Sequence, residues 1–182
     1  MQTSTFSFTH TFRNIIVLAL LATLFALPIA AFADGDAAAS GSATISIPSL
    51  NLSTTVVSIP LDPNLGTWNT NSLGANIGHF EYTPWLGEHG NIVLGGHSTH
   101  DDGTPSIFYR LDAVNVGDTF TISQGTTVQE YLVTGKRFVA ISDLSVLYPT
   151  NSDTVTLITC AGYNGETGTY EQRLVVTARQ VN

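Results

Sequence analysis

This 182-residue sequence predicts an all-β fold, a barrel or a sandwich, on three observations. From Thr44 onward, short runs rich in Val, Ile, Thr and Phe alternate with Gly, Pro, Asn and Asp, which is the punctuation of strands and turns. No stretch of that region sustains the apolar period of a helix. Apolar residues make up 43% of the chain and charged ones only 11%, a balance that fits buried strands and excludes a disordered or coiled-coil chain.

The elements follow in order. Residues 1–33 read as a leader: Arg13, an apolar run from Ile15 to Leu27, and the small-residue site Ala31-Phe32-Ala33 are the three parts of a secretory signal. Cleavage after Ala33 is the expectation and retention as a membrane anchor the alternative, since the run to Phe32 is near the minimum length for a span, although Pro28 weakens it. In either case the remainder works outside the cytoplasm, at the cell surface, anchored or secreted. Residues 34–43, Ala, Gly, Ser and Asp without an apolar period, read as a flexible linker. One domain over 44–182 then offers strands at Thr44–Ile47, Thr54–Ile59, Asn91–Leu94, Asp118–Ser123, Val128–Ile141 with an interruption near Gly135, Thr154–Cys160 and Gln172–Val181. One helical turn is expected at Ser106–Asp112, where Ile107, Phe108 and Leu111 share a face after Pro105.

Six Lys and Arg against 14 Asp and Glu give a net charge of −8. Between Arg13 and Arg110 there is no basic residue, so a nucleic-acid partner is excluded on charge. The single cysteine excludes a disulfide framework and any multi-thiolate metal site.

That cysteine is the first candidate for chemistry. Successive strands of all-β folds usually pair antiparallel. The strands Thr154–Cys160 and Gln172–Val181, joined by the Gly-rich loop Ala161–Glu171, therefore bring Cys160 beside Arg173 at one rim of the sheet. A free cysteine most often acts as a small buried hydrophobe. Here it is exported, placed at a strand end, and next to an arginine, which favours a thiolate. A thiolate nucleophile needs a proton-transfer partner, usually histidine. His10 leaves with the leader, and His79 and His89 read as solvated loop residues. His97 follows a strand and the turn Gly95-Gly96, which places its ring at a strand end. A rival reading takes His97, His100, Asp101 and Asp102 as metal ligands, but H-x-x-H-D-D matches no strong zinc pattern and lacks a further ligand.

With these residues in place, the chain resembles the sortases, exported cysteine transpeptidases of bacterial surfaces. Thr156-Leu157-Ile158-Thr159-Cys160 is similar to the family's T-L-x-T-C signature, and Ile45-Ser46-Ile47-Pro48 to its opening strand. Gly90 to His97 is similar to its G-N-x-V-L-A-G-H segment, Phe108 to Leu111 and Val116-Gly117-Asp118 to its F-x-x-L and G-D stretch, and Gln172 to Val176 to the strand of its essential arginine.

The resemblance implies a closed eight-stranded barrel with one or two short helices. It implies Cys160 as nucleophile, His97 as general acid and base, and Arg173 as the group that positions substrate and steadies the oxyanion. No cofactor and no metal are implied. The implied partners are exported proteins bearing a C-terminal sorting motif and an amine of the cell envelope or of a pilin lysine, with the membrane added if the N-terminal segment stays uncleaved. Residues Ala140–Ser152, just before the cysteine strand, are the candidate surface for reading the motif. The competing class is an exported, non-enzymatic β-barrel module whose Cys160 is only packed in the core.

Overall fold

The computed structural model describes residues 42–181, so the expected leader and the linker up to residue 41 lie outside it. β1 (Ala43–Ile47) alternates buried and half-buried residues, then Pro48–Leu50 makes a 3-10 turn closed by Asn51 at φ 50. β2 (Leu52–Ile59) returns antiparallel to β1, with Ile45 opposite Thr54. A small hairpin of β3 (Leu61–Asp62) and β4 (Thr67–Trp68) and a 3-10 turn at Thr70–Leu73 lead into β5 (Ile77–Phe80), which runs parallel to β2. There follow β6 (Asn91–Gly95), β7 (Thr119–Gln124), β8 (Thr127–Ala140), β9 (Thr154–Asn164) and β10 (Thr169–Gln180). In the order β1-β2-β5-β6-β9-β10-β8-β7 these strands close into an eight-stranded barrel, β7 returning to β1 with Ile122 opposite Ile45.

Two cores explain why β6 is buried along its whole length. Ile45, Phe120, Ile122, Tyr131, Leu157 and Val176 fill the barrel. Because strand side chains alternate, Val93, Ile158 and Val175 point to the other side, where Val139, Val146, Phe80 and Leu147 cover them. Buried Asn91 ties this outer cover down: its Nδ2 donates to the carbonyls of Val146 (3.1 Å) and Tyr148 (3.2 Å), and its Oδ1 accepts from Thr156 Oγ1 (2.7 Å).

Four expectations are corrected. β5 completes the barrel and was not foreseen, which moves His79 from a loop to a strand. β8 does not break at Gly135; it continues through a bulge, its register against β10 shifting between Thr177 and Ala178. The helical turn before Asp112 is of 3-10 type: the amides of Tyr109, Leu111 and Ala113 donate to carbonyls three residues back, and Phe108 and Leu111 are fully buried. Most of the loop Ala161–Glu171 is strand, since Tyr163 pairs with Tyr170 and Ala161 with Gln172. Cys160 therefore lies within its strand and does not end it.

Candidate active site

β6 and β9 run side by side in parallel, up to Gly95 opposite Ile158. The stitching continues for one more residue on each chain: the Gly96 amide donates to the Ile158 carbonyl (3.2 Å) and Thr159 Oγ1 donates to the Gly96 carbonyl (2.8 Å). This sets the chain leaving β6 against β9 at the point where Cys160 follows. Beyond Ile158, β9 keeps only β10 as a neighbour, which uncovers the outward-facing Cys160 in mid-strand. The thiol is half-buried and borders two surface depressions. A cysteine packed wholly into the core is not what this strand carries.

Arg173 stands directly across from Cys160 in the antiparallel register of β9 and β10, as the pairing argument expects. Directly opposed residues project to the same face of a sheet. The guanidinium Nη1 donates to the Gln172 carbonyl (3.2 Å), and the residue is half-buried.

His97 follows the two glycines, and both are needed. A Cβ on Gly95 would lie 2.6 Å from Phe80 Cε2, and one on Gly96 2.7 Å from Phe108 Cδ2, so any side chain there must displace either the strand exit or a packed ring. Gly96→Ala is expected to cost roughly 1–3 kcal/mol by overpacking. Thermal unfolding checks this, and catalysis should fall with it because His97 moves. The Phe108 amide holds the His97 carbonyl at 2.9 Å. On the ring, Nε2 lies 3.1 Å from the Thr70 carbonyl. A carbonyl only accepts, so Nε2 carries the proton and donates, leaving Nδ1 as the nitrogen for proton exchange.

His97, Cys160 and Arg173 line one pocket of about 110 Å3 together with Thr70, Leu73 and Phe80. On the other side of Cys160 and His97 lies a second cleft of about 600 Å3, bounded by the loop His97–Gly103, Tyr109, and the β9–β10 hairpin with Tyr163 and Tyr170. Sequence reading missed the Thr70 carbonyl, which no residue type signals, and it missed the apolar wall of Leu73 and Phe80. The pair Tyr163 and Tyr170, flanking the glycines of the hairpin, was a usable signal for the second cleft.

Of the other histidines, His100 lines the larger cleft with His97 and Cys160, whereas His79 and His89 stay apart from this group. His79 Nε2 is 2.9 Å from Thr83 Oγ1 and 3.1 Å from the Pro84 carbonyl, its ring lies 4.4 Å from Trp85, and burial lowers its pKa. His89 is exposed and pairs with Asp153 at 3.0 Å, which holds that carboxyl below the usual range. Asp102 is pulled low by hydrogen bonds from the Thr104 hydroxyl and amide. Among the described residues, no three His, Cys, Asp or Glu side chains group as a metal site, and His97 turns to Thr70 while Asp102 turns to Thr104. Within residues 140–152, a 3-10 turn at Leu144–Leu147 packs on the outer face of the barrel through Val146, beside Ile158, which also lines the smaller pocket.

The model of the Sortase domain family matches residues 45–181. Sortase A of Staphylococcus aureus is 33% identical over 93 residues, a match spanning 50% of this chain and 45% of that protein, so the chain aligns with about half of its relative's length. Among solved structures, a Clostridium perfringens Sortase D5 transpeptidase superposes with TM-score 0.63 at 28% identity, covering 78% of this chain and 79% of the other. Sortase C-1 of Actinomyces oris does so with TM-score 0.63 at 28% identity over 77% and 73%, and a lid mutant of Sortase A from Corynebacterium diphtheriae with 0.61 at 27% over 78% and 70%. With the family's domain matched across the barrel and the same fold in these structures, the chain belongs to the sortase family.

Proposed function

We propose that this domain is a cysteine transpeptidase that cleaves a C-terminal sorting motif of exported proteins through a thioester on Cys160 and passes the acyl group to an amine of the cell envelope or a pilin lysine. The observation that carries the reading is one half-buried thiol with Arg173 across the strand and His97 at the exit of the adjoining strand, set between two depressions.

In the first half-reaction, the Cys160 thiolate attacks the scissile carbonyl, and the oxyanion that forms is held by the Arg173 guanidinium, always charged and rich in donors. His97, as imidazolium, gives the Nδ1 proton to the leaving amine, and the C–N bond breaks to leave the thioester. In the second, an incoming neutral amine attacks the thioester, His97 takes its proton, and the thiolate departs. The Thr70 carbonyl supports both halves, because it holds Nε2–H in place whichever state Nδ1 is in.

Incubating the domain with sorting-motif peptides and reading intact mass tests this directly. A peptide-sized adduct on Cys160 that hydroxylamine removes is the expected result. A thiol that alkylates only after denaturation, with no adduct from any peptide, returns the chain to the surface-module class.

The organisation proposed for the full chain keeps a leader over 1–33 and shortens the expected linker of 34–43 to 34–42, because Ala43 is buried and opens β1 of the catalytic domain. Expression in an exporting host followed by N-terminal sequencing should give Asp34. Intact Met1 or Gln2 on membrane-embedded protein would instead mark a retained anchor.

A further inference from the structure

The two depressions beside Cys160 differ in kind. The smaller one is walled by Leu73, Phe80 and Ile158, and its one permanently charged side chain is Arg173. The larger one has Asp101 as its one permanently charged side chain, no Lys or Arg, the imidazoles of His97 and His100, and a wall of Tyr109, Tyr163 and Tyr170. Tyr163 and Tyr170 meet edge to face at 5.2 Å, and Tyr170 OH hydrogen-bonds Thr99 Oγ1 at 2.8 Å, which joins the hairpin to the acidic loop. Asp102 continues the acidic rim on the side where a further depression reaches His97. The cleft also contains Ser98, only 8% exposed, whose hydroxyl has no hydrogen-bond partner.

Tyrosine faces and a carboxylate attract a cation, whereas Arg173 on the opposite flank repels one. Yet the nitrogen that attacks a thioester must be uncharged. A cleft built for a cation and opening on a thioester therefore suits a molecule that carries both. We infer that the larger cleft is the acceptor site, and that it selects a primary amine tethered to a second, positively charged group, which Asp101 and the tyrosines hold while the free amine reaches Cys160. The peptide being cleaved then occupies the Arg173 side. This rests on the transpeptidase reading above. The step balances simply: the amine nitrogen bonds to the acyl carbon, the C–S bond breaks, the thiolate leaves with the electron pair, and the proton lost by nitrogen goes to His97.

The test uses a sorting-motif peptide that acylates Cys160 and compares 1,5-diaminopentane with pentylamine, reading ligated against hydrolysed product over a range of amine concentrations. The diamine should be preferred roughly threefold to tenfold at low salt, beyond the twofold owed to its two reactive ends. Asp101→Asn and Tyr163→Ala, both at exposed positions, should bring that preference close to twofold, as should high salt. Acylation of Cys160 by the sorting-motif peptide in the same variants serves as the folding control. A preference that is absent in the wild type, or unchanged in both variants, overturns the inference while the acyl-enzyme stands. Failure of every peptide to acylate Cys160 overturns the transpeptidase reading, and this inference with it.

Discussion

Cys160→Ala should yield no thioester and no cleavage with any peptide, because no other residue bordering the two depressions supplies a comparable nucleophile. His97→Ala should keep the thiol but lower kcat by ~10²–10⁴, the usual worth of a positioned acid and base. The geometry adds a finer expectation. Nε2–H is already committed to the Thr70 carbonyl, so His97→Asn, which can supply a donor but cannot exchange a proton, should be as inactive as alanine. His100→Ala should be far milder, since no hydrogen bond links its ring to His97 or Cys160. Equal losses at His97 and His100 would argue for a shared metal, and a chelator would then inactivate the wild type. Initial rates with a quenched peptide, alongside intact mass, separate these outcomes.

Arg173→Ala is expected to cost ~10²–10³ in kcat with little change in KM, because the guanidinium does most when charge develops on the carbonyl oxygen. Arg173→Lys should recover only part of this. The cation survives, but the planar fork that can hold Gln172 and an oxyanion together does not. A purely structural role predicts the opposite pattern. Loss would then track thermal stability, and lysine would restore it through its aliphatic stem. Thermal unfolding of both variants beside single-turnover acylation distinguishes the two.

How much of this was legible in the sequence depended on which force fixed each part. The strands around Thr44, Thr54, Asn91, Thr119 and Thr154 were legible because β-branched residues and turn residues alternate cleanly there. The opposition of Cys160 and Arg173 was legible because neighbouring strands joined by a hairpin fix their own register. β5 was not. Ile77-Gly78-His79-Phe80 has two poor strand formers in four residues, and its glycine is set by packing: a Cβ on Gly78 would lie 2.3 Å from Ile59 and 2.5 Å from Leu73. The extension of β9 and β10 was hidden for the same reason. Gly162, Asn164 and Gly168 speak for a loop, while the cross-strand pairing of Tyr163 with Tyr170 holds the backbone extended. The Thr70 partner of His97 lies outside any such reading, because a main-chain oxygen leaves no mark on residue identity and the two meet only through tertiary packing.

The strand order also fixes when the chemistry can appear during folding. Cys160 and Arg173 belong to one local hairpin, a structure that forms on the scale of ~1–10 μs. His97 joins them only through the parallel contact of β6 with β9, which brings Gly96 to Thr159 across 63 residues of chain. Closing so long a loop is entropically slow and gains its contacts late. In a refolding chain the thiol is therefore expected to meet its arginine before its proton carrier. Recovery of peptide cleavage is expected to lag behind the recovery of the far-ultraviolet strand signal, and coincident recovery would show that the barrel closes in one step.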